Sequence, residues 1–350
     1  MARTTHPLPR WRGAVLPAVL AGALLAGCGG DDRDSTADPT AQSKATTGTS
    51  SATPTGGPAV PVIKSNFPDP DVMAVGATYY AFATEHPGGS NVQAMKSTDL
   101  KTWTELPDAF PTLPAWANEG RTWAPEVYQR GDKKFVLYFT AWHTASERQC
   151  IGVAVSSKPA GPFTATSDEP FICPLSQGGA IDAASYAEGG KRYILWKNDG
   201  NCCGKDTWLY LQQVDATGTK LLGKATRLIK QDKDFEGNLV EAPTLWKHGS
   251  RYYLFYSAND YSGAKYMSSY ATATSITGPY KKADEPLMTT EKFGDDEVIG
   301  PGGQDVFIGP DKLPRIAFHG WDGGLILRAV YVRPLTFAGD KPVVAGVQTD

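Results

Sequence analysis

One aromatic-rich pattern returns five times along this chain, and a ring of like units accommodates such a repeat best. A charged or turn residue opens a short apolar run at residues 78–84 (TYYAFAT), 134–140 (KFVLYFT), 192–198 (RYILWKN), 251–257 (RYYLFYS) and, more weakly, 314–320 (PRIAFHG). Aligned, the fifth position is Phe82, Tyr138, Trp196, Phe255 and Phe318, at spacings of 56 to 63 residues. A shorter strand runs into a turn ahead of each, at 71–75, 126–130, 185–189, 244–248 and 305–309. Third and fourth strands follow, as at 151–156, 207–214, 266–273 and 325–332. Gly, Pro, Asn and Asp punctuate these runs, and no convincing amphipathic helical stretch interrupts them. Four short strands repeated five times predict an all-β, five-bladed β-propeller. The alternative is an irregular β-sandwich with coincidental aromatic runs. A period held across five copies argues against it.

Propeller geometry constrains where function can sit. The innermost strand of each blade lines the central channel, and its start lies on one face. The loops between second and third strands open onto that same face, so residues far apart in sequence converge at one channel mouth. Three inner strands begin with an acid. Asp69 stands in Phe67-Pro68-Asp69-Pro70-Asp71, Asp182 in Ala180-Ile181-Asp182-Ala183-Ala184, and Glu241 in Leu239-Val240-Glu241-Ala242-Pro243. Asp182 and Glu241 lie three residues before their aligned strand positions and Asp69 two before, which reads as nearly matched register. Their neighbours are apolar or proline, so a solvated coat does not explain them. Carboxyls converging in an apolar mouth shift one another's pKa values, so that one holds a proton while another stays ionised. Glycoside hydrolysis needs such a pair. Taken singly, each acid could be a turn or capping residue, and Asp71 and Asp305 are read that way.

Residues 1–28 read as a signal segment. Arg10 and Arg12 precede an apolar run of about a dozen residues, which is too short to span a membrane. Leu25-Ala26-Gly27-Cys28 fits a lipoprotein signal whose cysteine becomes the lipidated N-terminus, so a lipid anchor is the one membrane contact expected. The alternative is a plain signal peptide with an incidental cysteine and a secreted protein. Residues 29–59 are Ser, Thr, Gly, Pro and Asp with almost no large apolar side chain, and read as a flexible linker. Residues 60–350 are left for the propeller. A formal net charge of -3 offers no basic footprint for nucleic acid. Cys150, Cys173, Cys202 and Cys203 lack zinc-site spacing, and export favours disulfides in one of three connectivities.

The motifs together resemble glycoside hydrolase family 43 across roughly residues 60–340. Pro68-Asp69-Pro70 is similar to the family's base motif, which implies that Asp69 activates water. Ile181-Asp182 resembles the motif of the third carboxylate, which positions the acid and modulates its pKa. Val240-Glu241-Ala242-Pro243 is similar to the general-acid motif, with Ala242 where glycine is commoner. Ser97-Thr98-Asp99-Leu100-Lys101-Thr102-Trp103 and Trp123-Ala124-Pro125-Glu126 match further landmarks. The resemblance implies an inverting hydrolase of pentose polysaccharides, with arabinan, arabinoxylan or derived oligosaccharides as partners. Arabinosyl links are placed slightly ahead of xylosyl ones. It also implies a histidine beneath the site that contacts a hydrated calcium. His319 is the candidate, and a hydrogen-bonded core histidine is the competing reading. No cofactor is expected to be needed for the chemistry, and a monomer is expected.

Other candidates follow from position. Trp123 and Trp142 could stack on sugar faces, or pack between blades. Arg328 resembles an arginine aimed at substrate, or is a rim ion pair. Gly300-Pro301-Gly302-Gly303-Gln304 lacks the lysine and helix of a phosphate loop, and is read as a tight loop that brings backbone and Gln304 toward a sugar. A fructan hydrolase would need Asn-Asp-Pro-Asn, which is absent. The remaining rival is a sugar-binding lipoprotein that captures oligosaccharide without cutting it.

Overall fold

The computed structural model describes residues 58–86, 88–294 and 298–349. The signal segment, Cys28 and nearly all of the linker lie outside the described residues. Among the described residues no helix is long and apolar enough to cross a membrane.

Five four-stranded antiparallel sheets follow one another along the chain, each a simple meander. The inner strands are Asp71–Val75, Ala117–Gln129, Ala180–Glu188, Val240–His248 and Ile299–Ile308. The second strands are Thr78–Ala83, Phe135–His143, Lys191–Asn198, Arg251–Ala258 and Pro314–Trp321. These are the five aromatic runs of the sequence, so the expected five-bladed propeller is the fold. Each blade buries both faces against its neighbours, which explains the nearly unbroken apolar character of the second strands. One apolar cluster fills each of the five blade interfaces. Phe82 and Phe139 meet between blades one and two, Tyr138 and Trp196 between two and three, and Leu195 and Leu254 between three and four. Phe255 and Phe318 meet between four and five, and Val72 and Phe307 between five and one.

The ring is closed by the segment ahead of the first blade. Val62 N and Ile63 O bond Val330 of the fifth blade, and Phe67 N bonds Arg328 O. This fastens Phe67-Pro68-Asp69 to the last blade, so the first carboxylate is fixed at the ring's seam.

A second device joins neighbouring blades at the channel. In each blade, two residues before the blade-bracing section of the inner strand, stands a residue at positive φ: Asp69 (55°), Ala124 (39°), Asp182 (56°), Ala242 (49°) and Gly303 (59°). Four of these are not glycine, and a left-handed backbone costs such residues roughly 1–2 kcal/mol each. A side chain of the preceding blade accepts the N–H of each one. His319 Nδ1 accepts from Asp69 at 3.0 Å, Thr84 Oγ1 from Ala124 at 2.9 Å, and Thr140 Oγ1 from Asp182 at 3.3 Å. Asp182 Oδ2 accepts from Ala242 at 2.9 Å, and Ser257 Oγ from Gly303 at 2.9 Å. The kink therefore lifts each strand's first residues into the channel mouth while keeping its N–H paired.

Two residues deeper, three acids repeat the clasp. Asp305 accepts from Val72 N, Asp71 from Val127 N and Glu126 from Ser185 N, at 2.9 to 3.0 Å. Asp71 and Asp305 are therefore braces between blades and not the turn or capping residues expected from sequence. Burial raises the pKa of all three, with Glu126 pushed up to about 7 and Asp305 to about 6. Protonation relieves the repulsion among acids that share one channel.

Candidate active site

Asp69, Asp182 and Glu241 line one cavity of about 330 Å³ at the mouth of the channel, together with Thr84, Trp123, Cys202, Tyr261 and Arg328. A larger groove of about 530 Å³ runs along the outer strands of blades four and five and contains none of the three. The register differs from the sequence alignment. Asp69 and Asp182 share the positive-φ position, whereas Glu241 stands one residue earlier, ahead of Ala242. A bulge between Glu241 and Thr244, three inner-strand residues opposite two, recurs in blades two, three and five, so Glu241 holds the position that Trp123, Ile181 and Gly302 hold there. Ala242 is held where glycine would be unstrained, which gives a physical reason for glycine at that place in the motif.

The three carboxylates have different surroundings. Thr84 Oγ1 donates to Asp69 Oδ2 at 2.7 Å, and Arg328 Nη1 lies 3.7 Å from the same oxygen. Burial opposes ionisation of Asp69, but Arg328, His319 and the Thr84 hydroxyl together outweigh it and hold its pKa below the ordinary value. Asp69 is thus a carboxylate across the physiological range. Asp182 is pushed up to about 8, first by burial and then by the charge of Glu241, against the pull of Lys197. Asp182 thus keeps a proton at neutral pH. Glu241 receives two donors: Tyr266 Oη at 2.8 Å on Oε1 and Lys197 Nζ at 3.1 Å on Oε2.

His319 is fully buried, and burial pushes its pKa down to about 3, so the ring is neutral. Because Nδ1 accepts the Asp69 N–H, the ring proton sits on Nε2, which is buried with no protein partner. An Nε2–H can donate to a water around a cation but cannot ligate the cation directly, so the site fits a hydrated ion and not a bare one. Gly303 is needed beside it. A Cβ there would lie 2.6 Å from the imidazole and 2.8 Å from Asp69 Oδ1.

The other sequence candidates separate. Trp123 and Arg328 reach the cavity. The Arg328 guanidinium lies over the rings of Tyr261 and Trp321, at 4.9 and 5.5 Å. Trp142 is not among the cavity-lining residues, and its ring is covered by the Arg121 guanidinium at 4.2 Å. Gln304 is buried with its amide already occupied. It donates to Ala242 O and accepts from Ser257 and Ser268, so it braces the inner strands of blades four and five and does not reach into the cleft. Cys150 pairs with Cys173 and Cys202 with Cys203. Sequence reasoning passed over Lys197, Tyr266 and Thr84. Lys197 and Thr84 sit at the end of aromatic runs, where strand periodicity hides a polar side chain turned to the channel. Tyr266 begins a third strand and carries no local signal.

Comparisons with known proteins agree with this geometry. An extracellular endo-alpha-(1->5)-L-arabinanase of Bacillus subtilis is 28% identical over 277 residues, covering 73% of this chain and 81% of that protein. A probable arabinan endo-1,5-alpha-L-arabinosidase A of Aspergillus flavus is 27% identical, covering 73% and 82%. A crystal structure of a thermostable family-43 glycoside hydrolase superposes with a TM-score of 0.72 at 24% identity, covering 85% of this chain and 98% of the other. Residues 58–340 match the family described as glycosyl hydrolases family 43. With its five-bladed fold and its three carboxylates at one channel mouth, the chain belongs to that family of glycoside hydrolases.

Proposed function

We propose that this chain is an exported, inverting hydrolase of arabinose-containing polysaccharide, with Asp69 as general base, Glu241 as general acid and Asp182 as the group that sets the acid's protonation. The observation that carries the reading is the electrostatic split within one cleft. Asp69 is held ionised by Arg328 and Thr84, while Asp182, beside Glu241, holds a proton to about pH 8. Inversion requires a base and an acid in opposite protonation states on two sides of one sugar ring. In this reading Asp69 takes a proton from water as the water attacks the anomeric carbon. Glu241 gives a proton to the departing glycosidic oxygen, and Tyr266 and Lys197 receive the carboxylate left behind. Trp123 and Tyr261 supply apolar faces for sugar rings, and the free N–H groups of Arg328 supply donors. His319 would hold a hydrated calcium through water, and such an ion would supply positive field beneath the carboxylates.

The preference for arabinosyl links draws on the two arabinan-cutting relatives. Export draws on the leader and on the extracellular relative. Reducing-sugar release from arabinan and from xylan tests the proposal, alongside nitrophenyl arabinofuranoside against nitrophenyl xyloside. Release from arabinan, with the arabinofuranoside cut faster, is expected. Binding of arabinan without release from either polymer would favour the sugar-capture reading.

A further inference from the structure

Lys197 is fully buried, with 0% of its side chain exposed. It occupies the sixth position of its aromatic run, where the other blades have Ala83, Phe139, Tyr256 and His319. A lysine ammonium without solvent is costly unless it is paired and hydrogen-bonded. Here Nζ donates to Glu241 Oε2 at 3.1 Å and to Asn201 Oδ1 at 2.8 Å. Asn201 lies at an exposed position on the short turn Gly200–Cys203, which the bond between adjacent Cys202 and Cys203 closes. Lys197 thus joins a rim turn of blade three to the carboxylate of blade four.

We propose that Lys197 is a positioning residue for the general acid: its ammonium orients Glu241 Oε2 and stabilises the carboxylate formed when the proton leaves, with Asn201 as its second anchor. This rests on the general-acid reading of Glu241. The charged and titratable groups facing the ammonium are Glu241 on the inner strand of blade four, Asp182 on that of blade three, and Asp199 beside the turn. Arg148 acts on Asp199 from blade two. A general acid works by becoming a carboxylate as the leaving oxygen departs. A cation 3.1 Å from that carboxylate lowers the cost of the change most when the leaving group is poor.

The test is the pH profile of kcat/KM for full-length wild type, Lys197→Met and Asn201→Ala, on nitrophenyl and dinitrophenyl arabinofuranosides. Loss of the cation lets the acid pair keep its proton to higher pH, so Lys197→Met should move the basic limb up by about one to three pH units. Its kcat should fall roughly 10–100-fold on the nitrophenyl glycoside and much less on the dinitrophenyl one, as a partial loss of general-acid catalysis does. Asn201→Ala removes the neutral anchor and leaves the ammonium to the acids, of which Glu241 is the one it hydrogen-bonds, so its basic limb should move down. A packing role would lower both rates alike and leave the limb in place, and that outcome overturns the proposal. Should Lys197→Met fail to fold, an unmoved limb in Asn201→Ala overturns it. Equal losses on both glycosides in Glu241→Ala would instead strike at the general-acid reading itself.

Discussion

Glu241→Ala should lose about 10²–10⁴-fold in kcat on arabinan while keeping most of its rate on dinitrophenyl arabinofuranoside. The difference follows from what a general acid does. A sugar hydroxyl departs from arabinan as a strong base and needs a proton, whereas dinitrophenolate departs without one. Alanine also leaves Lys197 facing Asp182 and Asp199 without its nearest carboxylate, so part of the loss reflects rearranged charge. That part lowers both substrates together and can be subtracted from the leaving-group effect. Equal losses on both substrates would move the acid role elsewhere. Glu126 would come under scrutiny first, with its pKa raised to about 7 and its Oε1 already accepting from Ser185 N.

Asp69 calls for a different variant. Its backbone sits at φ 55°, where alanine is strained and glycine is not. Asp69→Gly therefore removes the carboxylate, keeps the kink whose N–H His319 accepts, and opens space beside the anomeric carbon. Activity should fall by about 10²–10⁴-fold on arabinan and on the dinitrophenyl glycoside alike, since water must be activated whatever departs. Added azide needs no base, so it should restore rate on the dinitrophenyl glycoside and yield a glycosyl azide. Rescue of Glu241→Ala to the same product, with none for Asp69→Gly, would exchange the two assignments.

The blades were legible because each second strand is buried on both faces, so five apolar runs recur at one period. The mouth of the channel was legible in its residues but not in its register. The kinked positions are filled by Asp, Ala, Asp, Ala and Gly, so no recurring glycine marks them and the one-residue advance of Glu241 is hidden. Asp71 and Asp305 looked like capping residues because a carboxylate accepting a backbone N–H from the next blade leaves no local pattern. The acceptor lies close to its own strand's turn, but the donor is more than fifty residues away. Lys197 was missed for a similar reason. Its neighbours Leu195 and Trp196 pack into blade interfaces, so the run reads as apolar up to position 197. Trp142 shows the reverse error: it lies at the end of a second strand and not on a loop, and Arg121 covers its ring.

The single-displacement account, with Asp69 delivering water as Glu241 protonates the leaving oxygen, makes one direct claim about the product. Proton NMR of the first sugar ends released from an α-1,5-linked arabino-oligosaccharide, read before mutarotation, tests it. The account predicts β-configured reducing ends first, with α ends growing in afterward as the anomers equilibrate. Reducing ends that appear first as α would mean retention through a covalent intermediate, and would contradict the assignment of Asp69 as a base acting on water.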